Sequence, residues 1–218
     1  MENKNEQDLR LLHLRFIGKI LAGFTHEIKN YMAIIKESAG LIEDMIKLEK
    51  STKSDSGQYL EITRSIEEQI EKTNDLFRYL NRFSHRMDTE LSTFSVNETL
   101  EELGALLNRF ANQRKISLEK DFQKDIPSIN SNPSMLQLLV FQFLEEKLTS
   151  LDKNSSLIIK TESANGSIAI RIIPKGNLLD VDKGKFSYEF QDNVVRLLRG
   201  SISQGNKETV ITIPVSIR

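Results

Sequence analysis

Between about residues 7 and 50 the positions Leu14, Ile17, Leu21, Phe24, Ile28, Tyr31, Ile35, Ser38, Ile42 and Met45, apolar but for Ser38, recur at alternating intervals of three and four. This heptad seam predicts one long helix, free of proline and well beyond the ~11–12 residues of an average globular helix. Residues 1–6 are polar and are expected to fray. The polar stretch 51–57, which ends in Gly57, predicts a turn. A second helix is predicted over about residues 58–87, carrying Ile62, Ile66, Ile70, Phe77, Leu80 and Phe83. Ile20, Ile34 and Leu41 widen the first stripe beyond a strict seam. One hairpin leaves a stripe that wide partly uncovered, so two copies are expected to pair as a four-helix bundle.

After about residue 91 the pattern changes. Ser95-Val96-Asn97-Glu98 reads as a capping box opening a helix to about Asn112. A strand over 116–122 and a helix over 133–151, with Pro133 in its first turn, come next. The β-branched runs 157–161 and 167–173 flank Asn165-Gly166, a hairpin signal. A helix over 188–199 stops at Gly200, and 209–215 reads as a last strand. The fold class is therefore α plus α/β: a long helical hairpin, then helices against one mixed sheet, with no internal repeat.

Composition narrows the function classes. A net charge of -1, from 30 basic and 31 acidic residues, gives no reason to expect nucleic acid or an anionic membrane as partner. With no cysteine, disulfides, thiolate chemistry and cysteine–zinc sites are excluded. No apolar run approaches the ~20 residues of a membrane span, and the polar start argues against a signal peptide. A cytoplasmic location is expected.

In the heptad phase set by Leu14, Leu21, Ile28 and Ile35, His26 falls at the position farthest from the seam. Ala22, Gly23, Asn30 and Ala33 are its expected neighbours, so the imidazole stands outward among mostly small side chains. Such a ring can serve as a nucleophile for a partner docking from solvent. A zinc protease would need a second histidine where Asn30 stands. His13 and His85 carry no motif and read as structural or solvated; the Glu67-Glu68 and Glu145-Glu146 pairs read as solvated faces.

The segment Phe24-Thr25-His26-Glu27-Ile28-Lys29-Asn30 resembles the phosphoacceptor box of histidine kinases, H-E-x-x-N on the first helix of a dimeric hairpin. The resemblance extends from about residue 10 over nearly the whole chain. It implies a dimerisation and phosphotransfer hairpin over 7–90 and a degenerate ATP-binding-like α/β sandwich over 91–218. Tyr31 stands where the family usually has proline, which suggests a straighter helix after the histidine. In the nucleotide module Gln142 and Glu146 occupy the positions of the family's two asparagines. Pro174 and Gly176 stand in its D-x-G-x-G motif, with Leu178 in place of the second glycine. No glycine-rich lid precedes the last helix.

A phosphoacceptor box beside an eroded nucleotide module resembles the histidine phosphotransferases built from a degenerate kinase. The resemblance implies a carrier that moves a phosphoryl group between response-regulator aspartates and His26 without ATP. Glu27 would orient the ring or act as base, and Asn30 would position water. Lys29, Ala33, Lys36 and Glu37 would form part of the receiver-docking patch. No cofactor or metal is expected on this chain, and magnesium would come from the response regulator. A homodimer and receiver domains are the expected partners. The alternatives are a response-regulator phosphatase using Asn30, a non-catalytic adaptor of receiver domains, and an atypical histidine kinase.

Overall fold

The computed structural model describes residues 4–48, 56–179, 188–205 and 207–215. The expected turn at 51–57 lies almost wholly outside the described residues, and so do 180–187, most of the segment before the last helix where a glycine-rich lid would stand. Helix α1 runs unbroken from Lys4–Leu48, starting inside the stretch expected to fray, and α2 spans Ser56–His85. Phe16 packs edge-on to Phe83, with ring centroids 5.3 Å apart, and Phe24 meets Phe77 at 5.2 Å. Early residues of α1 thus meet late residues of α2, and the two helices form an antiparallel hairpin.

The remainder holds two sheets rather than the single one expected. Strand β1 (Ser92–Phe94) pairs antiparallel with β3 (Ile129–Ser131) as a small separate sheet. Three residues each are too few to leave a period in the sequence. The main sheet holds β2 (Ser117–Phe122), β4 (Ser156–Ala164), β5 (Ser167–Lys175), β6 (Ser201–Gln204) and β7 (Thr209–Pro214) in the order β2-β4-β5-β7-β6. Only the β2–β4 pair is parallel. β4 and β5 form the predicted hairpin: Ala164 faces Ser167, and the two turn residues Asn165 and Gly166 both have positive φ, at 52° and 73°. That conformation matches the twist of the flanking strands, which is why Asn-Gly is found there.

Helices α3 (Val96–Gln113), α4 (Pro133–Ser150) and α5 (Tyr188–Leu197) complete the layer. Ser95 caps α3 by accepting from the Glu98 amide at 3.3 Å. The reciprocal half of the expected capping box is replaced: the Glu98 carboxylate lies 3.8 Å from Arg86. Asn132 caps α4, accepting from the Met135 amide at 2.9 Å. α4 is apolar nearly all round, with Leu136, Leu138, Leu139, Val140, Phe143 and Leu144 buried, as suits a helix covered on several sides. Leu157 and Ile159 of β4, Ile168, Ile170 and Ile172 of β5, and Ile211 and Ile213 of β7 form the buried face of the sheet.

The hairpin and the α/β part share one core. Phe16 is completely buried, its ring 4.7 Å from that of Phe141 on α4. One turn on, Ile20 is also fully buried, and Lys19 forms an ion pair with Glu145 of α4. Part of the wide stripe on α1 is therefore covered from within the chain. Leu14, Leu21, Met32, Ile70 and Phe77 remain exposed.

His13 belongs to the same contact. Its Nε2 lies 3.0 Å from the Ser134 hydroxyl in the first turn of α4, and its ring stacks on Phe16. Burial holds its pKa below the ordinary 6.5. The unfolded chain then binds a proton that folded His13 resists, so this contribution is intact above about pH 6.5 and shrinks as pH falls below it. Thermal unfolding at pH 7.5 and 5.5 is expected to show a drop in Tm on acidification that is smaller in His13→Phe; equal drops would remove His13 from the account.

Candidate phosphotransfer site

His26 stands exposed on α1, half-way along the helix. Ala22, Lys29, Asn30, Ala33, Lys36 and Glu37 around and beyond it are exposed as well. The α-helical spacing places Asn30 one turn after His26 on the same face. Gly23 departs from expectation. It is buried, because Phe110 of α3 lies across it, with the ring 2.6 Å from where a Cβ would stand. The small residue makes room for α3, so one turn before His26 the open ground is limited to Ala22.

Glu27 is half-buried and its carboxylate is shared among several donors. The Asn30 amide nitrogen and the Arg109 guanidinium each approach the same Glu27 oxygen at 3.4 Å. The Tyr31 hydroxyl donates to Glu27 too. Burial first, then the Glu27 charge and this hydrogen bond, push the Tyr31 phenol up to about 12, so it remains protonated at neutral pH. Residue 31 thus continues the helix and adds a donor, where a proline would supply neither a backbone N–H nor this hydroxyl. Arg109 lies 82 positions from Glu27 in sequence, and no local pattern announces it.

A cleft of about 390 Å³ opens between the hairpin and α3–β2, lined in part by Tyr31, Lys72, Tyr79, Asn108 and Lys120. Its two lysines are paired, Lys120 with Glu101 at 2.6 Å and Lys72 with Glu68 at 3.9 Å.

Over 146 residues, 67% of its length, the chain is 25% identical to Sporulation kinase E of Bacillus subtilis (strain 168), and it spans 19% of that protein. No family model matches the sequence. The structure is similar to the Acinetobacter baumannii histidine kinase AdeS, with a TM-score of 0.50 at 13% identity over 88% of this chain and 98% of that one. The fold is that of a histidine kinase. Full-length ShkA in complex with AMPPNP is similar as well, with a TM-score of 0.51 at 13% identity over 84% of this chain and 46% of that one.

In a histidine-kinase fold a nucleotide would lie against the positions of Gln142, Glu146, Pro174 and Gly176. Gln142 is buried, and its amide oxygen has no hydrogen-bond partner. Glu146 is half-buried and paired with its neighbour Lys147 at 3.1 Å. Pro174 lies in the β5 ladder opposite Leu157, and its side chain offers no acceptor for an adenine amino group. Gly176 has φ 145°, and a Cβ there would collide with Ser155, so the chain's own packing demands glycine. Leu178, in place of the second glycine, is exposed and bridges Leu151 in a short antiparallel pairing. Glu146 and Pro174 do not offer a nucleotide the contacts that the family's asparagine and aspartate would supply there, whereas the unpartnered Gln142 oxygen and Gly176 do not stand against one. Among the described residues no group of three or more acidic, histidine or cysteine side chains converges to hold a metal. Nor is any helix among them long and apolar enough to cross a membrane.

Proposed function

We propose that this chain is a histidine phosphotransferase of two-component signalling, accepting a phosphoryl group at His26 from the aspartyl phosphate of a receiver domain and returning it to another. The observation that carries this reading is the exposed His26, with Asn30 one turn on, on a histidine-kinase fold whose Glu146 and Pro174 do not offer a nucleotide its usual contacts.

In the forward step the Nε2 lone pair attacks phosphorus, the N–P bond forms, and the P–O bond to the aspartate breaks, releasing its carboxylate. The proton on Nδ1 stays with the ring, which carries positive charge until it is lost. Attack needs the neutral imidazole, whose unprotonated ring nitrogen carries the reacting lone pair. Phosphoryl transfer depends on positioning and charge neutralisation, and magnesium in the receiver's acidic pocket would supply the latter. Two copies pair through the exposed stripe of Leu14, Leu21, Ile70 and Phe77.

Labelling separates this reading from its rivals. Radiolabelled ATP alone is expected to leave the protein unlabelled, whereas a labelled receiver domain transfers its phosphate to it. Label from ATP alone would establish an atypical kinase, the reading favoured by the buried, unpartnered Gln142 oxygen and by the kinase relatives. Loss of receiver phosphate with no label on this chain, dependent on Asn30, would establish a phosphatase.

A further inference from the structure

Helix α3 belongs to the α/β part, yet it reaches the phosphoacceptor helix on both sides of His26. Phe110 packs on Gly23, and the neighbouring Arg109 meets Glu27. Both members of that ion pair are largely withdrawn from solvent, with side chains 17% and 23% exposed. The same Glu27 oxygen receives the Asn30 amide, so one carboxylate ties α3 to the residue one turn beyond His26.

This geometry has an electrostatic consequence. Phosphoryl donors are anionic, and a half-buried carboxylate next to His26 repels them unless it is neutralised. Arg109 is the cation that meets it.

Resting on the phosphotransfer reading of His26, we propose that Arg109 is a positioning residue for phosphorylation there. It cancels the Glu27 charge beside the incoming phosphoryl group and, through Glu27, holds the Asn30 amide next to the reacting ring. The α/β part is then a component of the phosphotransfer site, although Arg109 acts only through Glu27.

Phosphoramidate tests this without a protein partner. Its P–N bond breaks and ammonia leaves as the bond from phosphorus to the histidine ring forms. Phosphorylation of the full chain is followed peptide by peptide, with the exposed His85 as internal reference. Arg109→Ala is expected to slow labelling of His26 relative to His85 by about tenfold, the scale of a modest loss of positioning. Arg109→Lys should recover most of the rate, because it restores the charge. In a Glu27→Gln background, where no carboxylate needs neutralising, Arg109→Ala should cost no more than about twofold, a non-additivity that marks coupled groups. An Arg109→Ala protein labelled at the parental His26:His85 ratio overturns the proposal. So does a loss of equal size with or without Glu27, which would make Arg109 a packing residue only. Failure of the phosphotransfer reading is seen separately, as a parental protein that reacts with phosphoramidate at His26 but takes no label from any receiver domain.

Discussion

Replacing His26 with glutamine is expected to reduce label taken from a phosphorylated receiver domain to background while leaving the protein folded. Glutamine keeps a polar, hydrogen-bonding side chain of similar reach, but its amide nitrogen has no free lone pair with which to attack phosphorus. Because residue 26 is exposed, the exchange should move stability by no more than about 0.5 kcal/mol. Loss of label with an unchanged melting curve therefore isolates the chemistry from the fold. The control histidines sharpen the result. His13 is tucked against Ser134 and Phe16, whereas His85 is exposed and 2.8 Å from Asp88. Neither His13→Gln nor His85→Gln should abolish label. Asn30→Ala should keep the label, and any change in how long it persists reports on water positioning at the site. Label that survives in His26→Gln and maps to another residue would end the assignment of His26.

The exposure of His26 was legible because a heptad phase spread over more than four turns averages out local irregularities. The same phase hid the second contact of α1. Phe16 and Gly23 both fall outside the seam drawn through Leu14 and Leu21, yet they lie under the α/β part, against Phe141 and Phe110. A stripe too wide for one hairpin has two possible covers, another copy or another part of the same chain, and periodicity does not distinguish them. Ile20 went to the second cover, whereas Leu14 and Leu21 stay exposed. The β4–β5 hairpin was readable down to its turn because Asn-Gly reports a backbone conformation directly. β6 was not, since Ser201-Ile202-Ser203-Gln204 is a partly exposed edge strand with a single apolar residue and therefore no alternation. Arg109 marks the firmest limit. Its partner Glu27 lies in a different element 82 positions away, and nothing in the residues around either one encodes the meeting.

Arg86→Ala is expected to be far more destabilising than a surface arginine change, and worse than Glu102→Ala. Arg86 sits just past the end of α2, and its Nε and Nη2 donate to the two oxygens of Glu102 on α3 at 3.2 and 3.0 Å. This two-pronged geometry suits a guanidinium and carboxylate. The guanidinium also lies over the Phe94 ring at 5.8 Å. The pair is unequal: the Glu102 side chain is 1% exposed, against 19% for Arg86. Truncating the arginine leaves a carboxylate sealed in the core without its counterion, a loss of about 3–5 kcal/mol. Truncating the glutamate leaves a cation that still reaches water and Glu98, so the cost should be smaller. For a chain of this size each kcal/mol shifts the melting temperature by roughly 2–4 °C, which puts Arg86→Ala about 10 °C below the parent. The double variant Arg86→Met, Glu102→Leu should recover most of that loss, because an apolar pair of similar volume needs no desolvated charge. Equal and small losses for the two single variants would show that the pair is effectively solvated. An Arg86→Ala effect that persists undiminished in the double variant would place the stabilisation in arginine packing over Phe94 instead. The pair joins the end of the hairpin to the first long helix of the α/β part. Its rupture should therefore also loosen α3 from Gly23 and Glu27, so Arg86→Ala should slow phosphorylation of His26 at temperatures where the chain is still folded.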